Sequence, residues 1–407
     1  MRMNKKKEIV PKLRFPEFSK SYWGITRLNV LADKITERNK DDSIKRVFTN
    51  SATEGVIDQE EYFDRNIANK NNLTNYFVVE KGDYVYNPRI STTAPVGPIS
   101  KNKLGIGVMS PLYTVFRFRN KENDFYEHFF LTNLWHVYIK NLSNTGARHD
   151  RITISVDNFM KMPLPYASPE EQQKIADCLS SIDDLIDAES RKLKALEKYK
   201  KGLMQKLFPA EGKTLPEWRF PEFRGKSEWR IKPLGKICTN YDSRRIPITE
   251  KDRVKGEIPY IGASGVIDYI NDFIFDEDLL CVSEDGANLV ARTYPIAFSI
   301  SGKTWVNNHA HVLKFSHKYT QDIVESYLNM INLQDFLTGM AQPKLNRAKL
   351  DIIPVPLPEE EEQQKIADCL SEVDKIITEQ SNKVEQLKAH KKGLMQGLFT
   401  TLEEADI

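Results

Sequence analysis

Five loop segments of this 407-residue chain concentrate side chains that can hydrogen-bond to nucleobase edges and phosphates. Two lie early: Asn87-Pro88-Arg89-Ile90-Ser91-Thr92-Thr93 and Thr145-Gly146-Ala147-Arg148-His149-Asp150-Arg151. Three lie late: Ser283-Glu284-Asp285-Gly286, Lys303-Thr304-Trp305-Val306-Asn307-Asn308-His309 and Gln342-Pro343-Lys344-Leu345-Asn346-Arg347. An arginine fork matches guanine O6 and N7, and an Asn or Gln carboxamide matches adenine N6 and N7. Lysine, serine and backbone amides suit phosphate. Asn87, Arg89, Ser91, Arg148 and Arg151 are therefore the early candidates for touching DNA. The late ones are Lys303, Asn307, Gln342, Lys344, Asn346 and Arg347. Polar loops are also ordinary turns, so position supplies a second criterion. Arg148/Arg151 and Gln342/Lys344/Asn346 sit at the same place in their halves, just before a strand-like Pro-x-Pro segment.

Catalytic chemistry finds less support. A methyltransferase acting on an exocyclic amine needs an NPPY-like loop, and Asn87-Pro88-Arg89-Ile90 lacks the second proline and the aromatic. No GxxxxGK[ST] occurs, because Ser301-Gly302-Lys303-Thr304 lacks the upstream glycine. None of the seven histidines forms an HExxH pair. Carboxylates such as Ser283-Glu284-Asp285 and Glu250-Lys251-Asp252 are ordinary for a chain that is 29% charged. The expectation is a chain without a catalytic centre, metal or cofactor of its own.

The elements that position these loops come as a repeat, which governs any fold reading. EEQQKIADCLS at Glu170–Ser180 returns at Glu361–Ser371, and KKGLMQKLF at Lys200–Phe208 returns as KKGLMQGLF at Lys391–Phe399. RFPEF occurs at Arg14–Phe18 and at Arg219–Phe223, followed by Trp23 and Trp229. Ser168-Pro169-Glu170-Glu171 is a helix start, with Ser168 as N-cap and Glu171 placed for a capping box. Apolar residues then recur at Ile175, Leu179, Ile182, Ile186, Leu193, Leu196, Leu203 and Leu207, interrupted by Glu189 and Lys200. The second copy follows at Ile366, Leu370, Val373, Ile377, Val384, Leu387, Leu394 and Leu398, interrupted by Gln380 and Lys391. A period of 3.5 argues for a coiled coil. Two near-copies in one chain can pair with each other, antiparallel, about a pseudo-two-fold axis, with the polar positions fixing register. Gln172-Gln173-Lys174 and Gln363-Gln364-Lys365 are polar and read as outward patches, which implies two copies of one partner.

The fold class expected is α+β, with two variable domains alternating with two long helices. The divisions fall at 1–165, 166–210, 211–356 and 357–407. Strands are expected at Tyr76–Val79, Tyr84–Tyr86, Tyr113–Phe118, Leu279–Val282 and His311–Phe315, and helices at Phe125–Leu142 and Gln321–Phe336. An echo of GVID at Gly55–Asp58 and Gly265–Asp268 suggests one fold with two surfaces. Net charge is +2, without the strong excess expected of a non-specific DNA coater, so any nucleic-acid binding must rest on local basic clusters. Cys178, Cys238, Cys281 and Cys369 form no CxxC pair; the repeat equivalents Cys178 and Cys369 read as small hydrophobes in a helix interface, and so few unpaired cysteines fit a reducing, cytoplasmic compartment. No apolar run approaches the length of a membrane span.

These pieces together resemble the specificity (S) subunits of type I restriction–modification systems. The resemblance rests on Pro163–Asp183, Val355–Asp374, GLMQ before LF, and GxxQPKLN at Gly339–Asn346. It covers nearly the whole chain. It implies two target-recognition domains, each reading half of a bipartite DNA target, with the helices setting the unread gap. It also implies two docked methyltransferase (modification) subunits and ATP-driven restriction subunits, with S-adenosylmethionine, ATP and Mg on those partners. In the first half the place of QPKLN is taken by Ala147-Arg148-His149-Asp150-Arg151, so Gln342, Lys344 and Asn346 carry over for the second half alone. A coiled-coil adaptor with two protein-binding heads stays open. It would show no salt-dependent, sequence-selective duplex binding.

Overall fold

A computed structural model describes residues 9–62, 73–145, 150–339 and 342–400. The chain packs as two compact units. The first runs up to Ala188 and takes in the chain from Lys383 onward; the second is Glu189–Asn382. Two 39-residue helices, α1 (Pro169–Leu207) and α2 (Glu360–Leu398), each contribute one half to each unit.

In the first unit a four-stranded antiparallel sheet has the order Ala32–Lys34, Thr114–Phe118, Tyr84–Tyr86, Ile99–Lys101. The second unit repeats it with Thr239–Asn240, Ala310–Lys314, Leu279–Ser283 and Ala297–Ile300. The central strands are buried throughout, and accordingly read as continuous apolar runs. The GVID echo is the second strand of a hairpin in both, after Phe48–Ser51 and after Lys255–Gly262. Gly55 and Gly265 open those strands at φ 71° and 117°, where a side chain would be strained. The Pro-x-Pro segments are strands too: Pro163–Tyr166 pairs with Gly24–Arg27, and Pro354–Leu357 with Arg230–Pro233.

The sequence places a single helix over Phe125–Leu142, whereas Asp124–Phe130 and His136–Leu142 are separate. Thr132 Oγ1 donates to the Phe129 carbonyl at 2.7 Å, an alternative to helical bonding that the apolar pattern conceals. The later helix likewise ends early, at Lys318–Met330, with a short 3-10 turn at Gln334–Phe336.

The long helices pair antiparallel. In the first unit Asp183 of α1 binds Lys391 of α2 at 2.6 Å, and in the second Lys200 binds Asp374 at 2.5 Å. Gln380 donates to the Glu189 carboxylate at 2.7 Å and to its carbonyl at 3.0 Å. The polar interruptions of the apolar seam therefore meet polar partners on the other helix. The repeated Leu-Phe pairs close the helices as core residues: Leu398 and Phe399 in the first unit, Leu207 and Phe208 in the second. Phe399 packs 5.2 Å from Phe125, and Phe208 lies 6.3 Å from Trp229.

The reason for the repeated RFPEF is an ion pair. Arg14 forks onto Glu171 with both bonds at 2.7 Å, and Arg219 forks onto Glu362 at 2.7 and 2.6 Å. Each carboxylate is almost fully buried, so each half of the repeat locks the start of its own long helix to its own entry segment. Ser168 Oγ does accept the Glu171 N–H at 3.2 Å, but the Glu171 carboxylate goes to Arg14, so the reciprocal arm of the capping box is not made.

Candidate nucleic-acid interface

In each unit two of the candidate loops lie side by side at the end of the central strand. In the first, Tyr84–Tyr86 runs into Asn87-Pro88-Arg89-Ile90, which is bridged to the chain at Arg151. Ile90 N–H donates to the Asp150 carbonyl at 3.0 Å and Ile152 N–H to the Pro88 carbonyl at 2.9 Å. In the second, Leu279–Ser283 runs into Glu284-Asp285-Gly286, which is bridged to Lys344. Leu345 N–H donates to Glu284 O at 2.8 Å and Gly286 N–H to Pro343 O at 3.2 Å. The same backbone junction thus carries different side chains.

The first junction is cationic. Arg89 is exposed, and among the described residues the ion partner of Arg151 is Asp150, at 3.8 Å. Arg89, Ser91 and Arg151 line a groove of about 600 Å³ together with Thr53, Gln59 and Tyr113. These last three escaped the sequence reading, although the GVID echo marks the hairpin that delivers Thr53 and Gln59. Arg148 lies outside the described residues.

The second junction holds balanced charge. Glu284 sits between Arg245 at 2.7 Å and Lys344 at 3.2 Å. Burial works to raise its pKa, but the Arg245 hydrogen bond, the His311 charge and the Lys344 hydrogen bond hold it below the ordinary value. Beneath it His311, 1% exposed, faces an acceptor with each ring nitrogen: Asp242 Oδ2 at 2.6 Å and the Leu345 carbonyl at 2.7 Å. Desolvation pushes Asp242 up, and His311, the Val312 N–H and Arg245 together bring it below its usual value. This network fixes the backbone of the Lys344–Leu345 segment. His309 and Asp285 form an exposed pair at 2.8 Å above it.

Three asparagines among the DNA-contact candidates hold turns. The Asn87 carboxamide accepts the Arg89 N–H at 3.0 Å and donates to the Asn50 carbonyl at 2.9 Å. Asn307 is 4% exposed and accepts the His309 N–H at 2.8 Å. Asn346 is the N-cap of the short helix Arg347–Asp351 and accepts the Lys349 N–H at 3.0 Å. Ser155 does the same in the first unit, for Val156–Met160. Ser91 accepts the Ala94 N–H at 3.0 Å yet stays exposed. Gln342, Lys344 and Arg347 are exposed on or beside the second junction, with Arg347 3.6 Å from Asp351. Lys303 is exposed at the far end of the strand leading to Asn307, its ammonium 4.7 Å from the Phe273 ring centre.

The polar residues read as partner patches are engaged within their own units. Gln172 donates to Ala167 O at 2.9 Å, Gln173 to Asp177 at 2.7 Å, and Lys174 pairs with Glu17 at 2.5 Å. Gln363 is buried, donating to Pro358 O at 2.8 Å and accepting from Thr320 at 2.7 Å. Gln364 bonds Asp368 at 2.6 Å and Lys365 pairs with Glu222 at 3.6 Å. Lys174 and Lys365 thereby each contact the glutamate of their own RFPEF segment. Among the described residues no cluster of His, Cys, Asp or Glu could hold a metal ion, and no helix is long and apolar enough to cross a membrane.

The profile of the type I restriction modification DNA specificity domain matches twice, over residues 29–198 and 226–388. The chain belongs to that family. Each match begins near one variable domain and runs well into the following long helix. A DNA specificity domain therefore includes both the junction described above and the helix that supports it. A protein of Haemophilus influenzae named as a type I restriction enzyme specificity subunit is 33% identical over 153 residues, 38% of this chain and 39% of that one. The MjaVIII type I specificity subunit of Methanocaldococcus jannaschii is 26% identical over 324 residues, 72% of this chain and 74% of its own. The fold is that of the type I S subunit from M. genitalium, at a TM-score of 0.62 and 14% identity, covering 96% of this chain and 99% of that one.

Proposed function

We propose that this chain is the DNA-reading specificity subunit of a type I restriction–modification complex, each unit reading one half of a bipartite duplex target. The observation that carries this is the duplicated junction. One backbone framework presents Arg89 and Arg151 in the first unit and Lys344 with Asp285, Glu284 and His309 in the second. Two readers on one framework suit a linear target with two unlike halves. Arg89 and Arg151 favour guanine edges and phosphate, while the carboxylates of the second unit suit amino-bearing bases. Each long helix is about 60 Å long at 1.5 Å per residue, against the 34 Å or so of one DNA turn, and so has the length to set an unread gap.

The chain contributes recognition and no catalysis. Two methyltransferase subunits dock on it and bring S-adenosylmethionine, and restriction subunits bring ATP and Mg, in the cytoplasm. The test is selection from a random duplex library with the full chain, alone and with the co-expressed methyltransferase subunit. Two short unrelated motifs at a fixed gap are expected, and deleting one heptad from both helices should change the gap and leave the motifs. No enrichment in either case, at low and high salt, would refute the reading and favour the adaptor.

A further inference from the structure

Glycine is a poor helix former, yet both long helices carry one in their interiors at the same repeat position, Gly202 and Gly393. Nothing inside the protein asks for it. A Cβ built on either would meet no atom within 4 Å among the described residues. Gly397 provides the contrast, since a Cβ there would lie 2.4 Å from the Leu13 side chain. A glycine with open space over it suits close approach by a backbone that the described residues do not supply.

Its neighbours point the same way. Gln205 is three residues on from Gly202 and four on from Lys201, so the three share a helix side. Gln396, Gly393 and Lys392 repeat the arrangement, and Lys201, Gln205, Lys392 and Gln396 are all exposed. In each unit this side borders a groove. The second unit's, about 610 Å³, is lined by Lys200, Lys201, Met204 and Gln205 with the exposed Tyr294. The first unit's, about 510 Å³, is lined by Lys391, Lys392, Met395 and Gln396 with the exposed Leu131. The helix wall is the same in both, although the facing wall has diverged. Met, Leu and Tyr do not suit a phosphate backbone; they suit a protein. Lys201 and Lys392, with no ion pair among the described residues, call for a carboxylate from it.

We infer that these two faces dock two copies of one protein partner, each laying its backbone against the glycine, its apolar side chains in the groove and a carboxylate on Lys201 or Lys392. This rests on the docking of methyltransferase subunits proposed above, and places it on the KKGLMQ face instead of the EEQQK face. The test titrates the full chain with the co-encoded methyltransferase subunit and reads stoichiometry by native mass spectrometry. The wild type is expected to bind two copies, Gly202→Leu and Gly393→Leu one each, and the double variant none. Melting temperatures should not fall in any variant, because leucine is the better helix former. Double-variant chains that still bind two copies would overturn this docking face and leave the reading above intact. Loss of duplex binding with stoichiometry unchanged would also overturn it, by assigning the face to DNA. A wild type that binds no methyltransferase subunit would overturn the docking reading itself.

Discussion

Arg14→Met isolates the contact that joins the two repeated signatures of the first unit. The guanidinium makes a bidentate bond to Glu171, whose side chain is 1% exposed, so truncation strands a buried carboxylate. Breaking a buried pair from one side costs about 3–5 kcal/mol. Arg14 also donates to the Ser21 hydroxyl and carbonyl, bonds lost with it, so a cost of at least about 3 kcal/mol is expected. That corresponds to roughly a hundredfold in the opening equilibrium, at 1.4 kcal/mol per factor of ten.

Hydrogen exchange read by mass spectrometry on the full chain resolves this locally. Peptides from Tyr84–Tyr86 and Thr114–Phe118 should exchange about a hundredfold faster, if they open with the unit. Peptides around the intact Arg219–Glu362 pair serve as the internal reference. The double variant Arg14→Met/Glu171→Met should recover much of the loss, because both charges leave together. Exchange within threefold of wild type in Arg14→Met, or a double variant as damaged as the sum of the singles, would refute the reasoning.

Burial, seconded by the charge of Lys391, pulls His128 down to about 4. The unfolded chain therefore binds a proton that the fold does not between about pH 6.5 and 4, and the first unit should lose up to about 3 kcal/mol as pH falls through that window. His128→Phe should flatten that slope in urea titrations. Asn346→Ala should cost about 1 kcal/mol of second-unit stability through loss of its cap, as Ser155→Ala should in the first. Binding measured on duplexes with each half-site scrambled should show Arg89→Ala relaxing the first half alone, by about 1–3 kcal/mol. Lys344→Ala should affect the second half alone, and lower the salt slope by about one. Equal damage to both halves by either substitution would sink the two-reader assignment.

The long helices were legible because their signals are local and redundant: a start at Ser168, an apolar period, and a second copy to check both. The positions of the polar seam residues were legible as well, though not their partners. What the sequence hid were the local backbone uses of short polar residues. Asn87, Asn307 and Asn346 have the chemistry to read adenine, but a short carboxamide next to its own backbone N–H groups more readily closes a turn. The pattern at each position is the same for both roles, and only the fold separates them. Glu171 illustrates the same point for charge. Local spacing assigns it to a capping box, and a residue 157 positions away claims it. EEQQK has a use of the same kind: within each unit it meets a second recurring segment, RFPEF.

The meeting of Glu189 with Gln380 has a consequence for how such a chain can arise. The two are counterparts in the duplicated sequence, 191 residues apart, and they touch each other. In a homodimer built from the first half alone, this position would set carboxylate against carboxylate, and in one built from the second half, amide against amide. Fusion into a single polypeptide releases the position from having to match itself. One copy can become the acceptor and the other the donor, so the mixed pair outcompetes either like pair. Separately expressed halves of this chain should accordingly find each other in preference to themselves, and two readers of unlike sequence stay together.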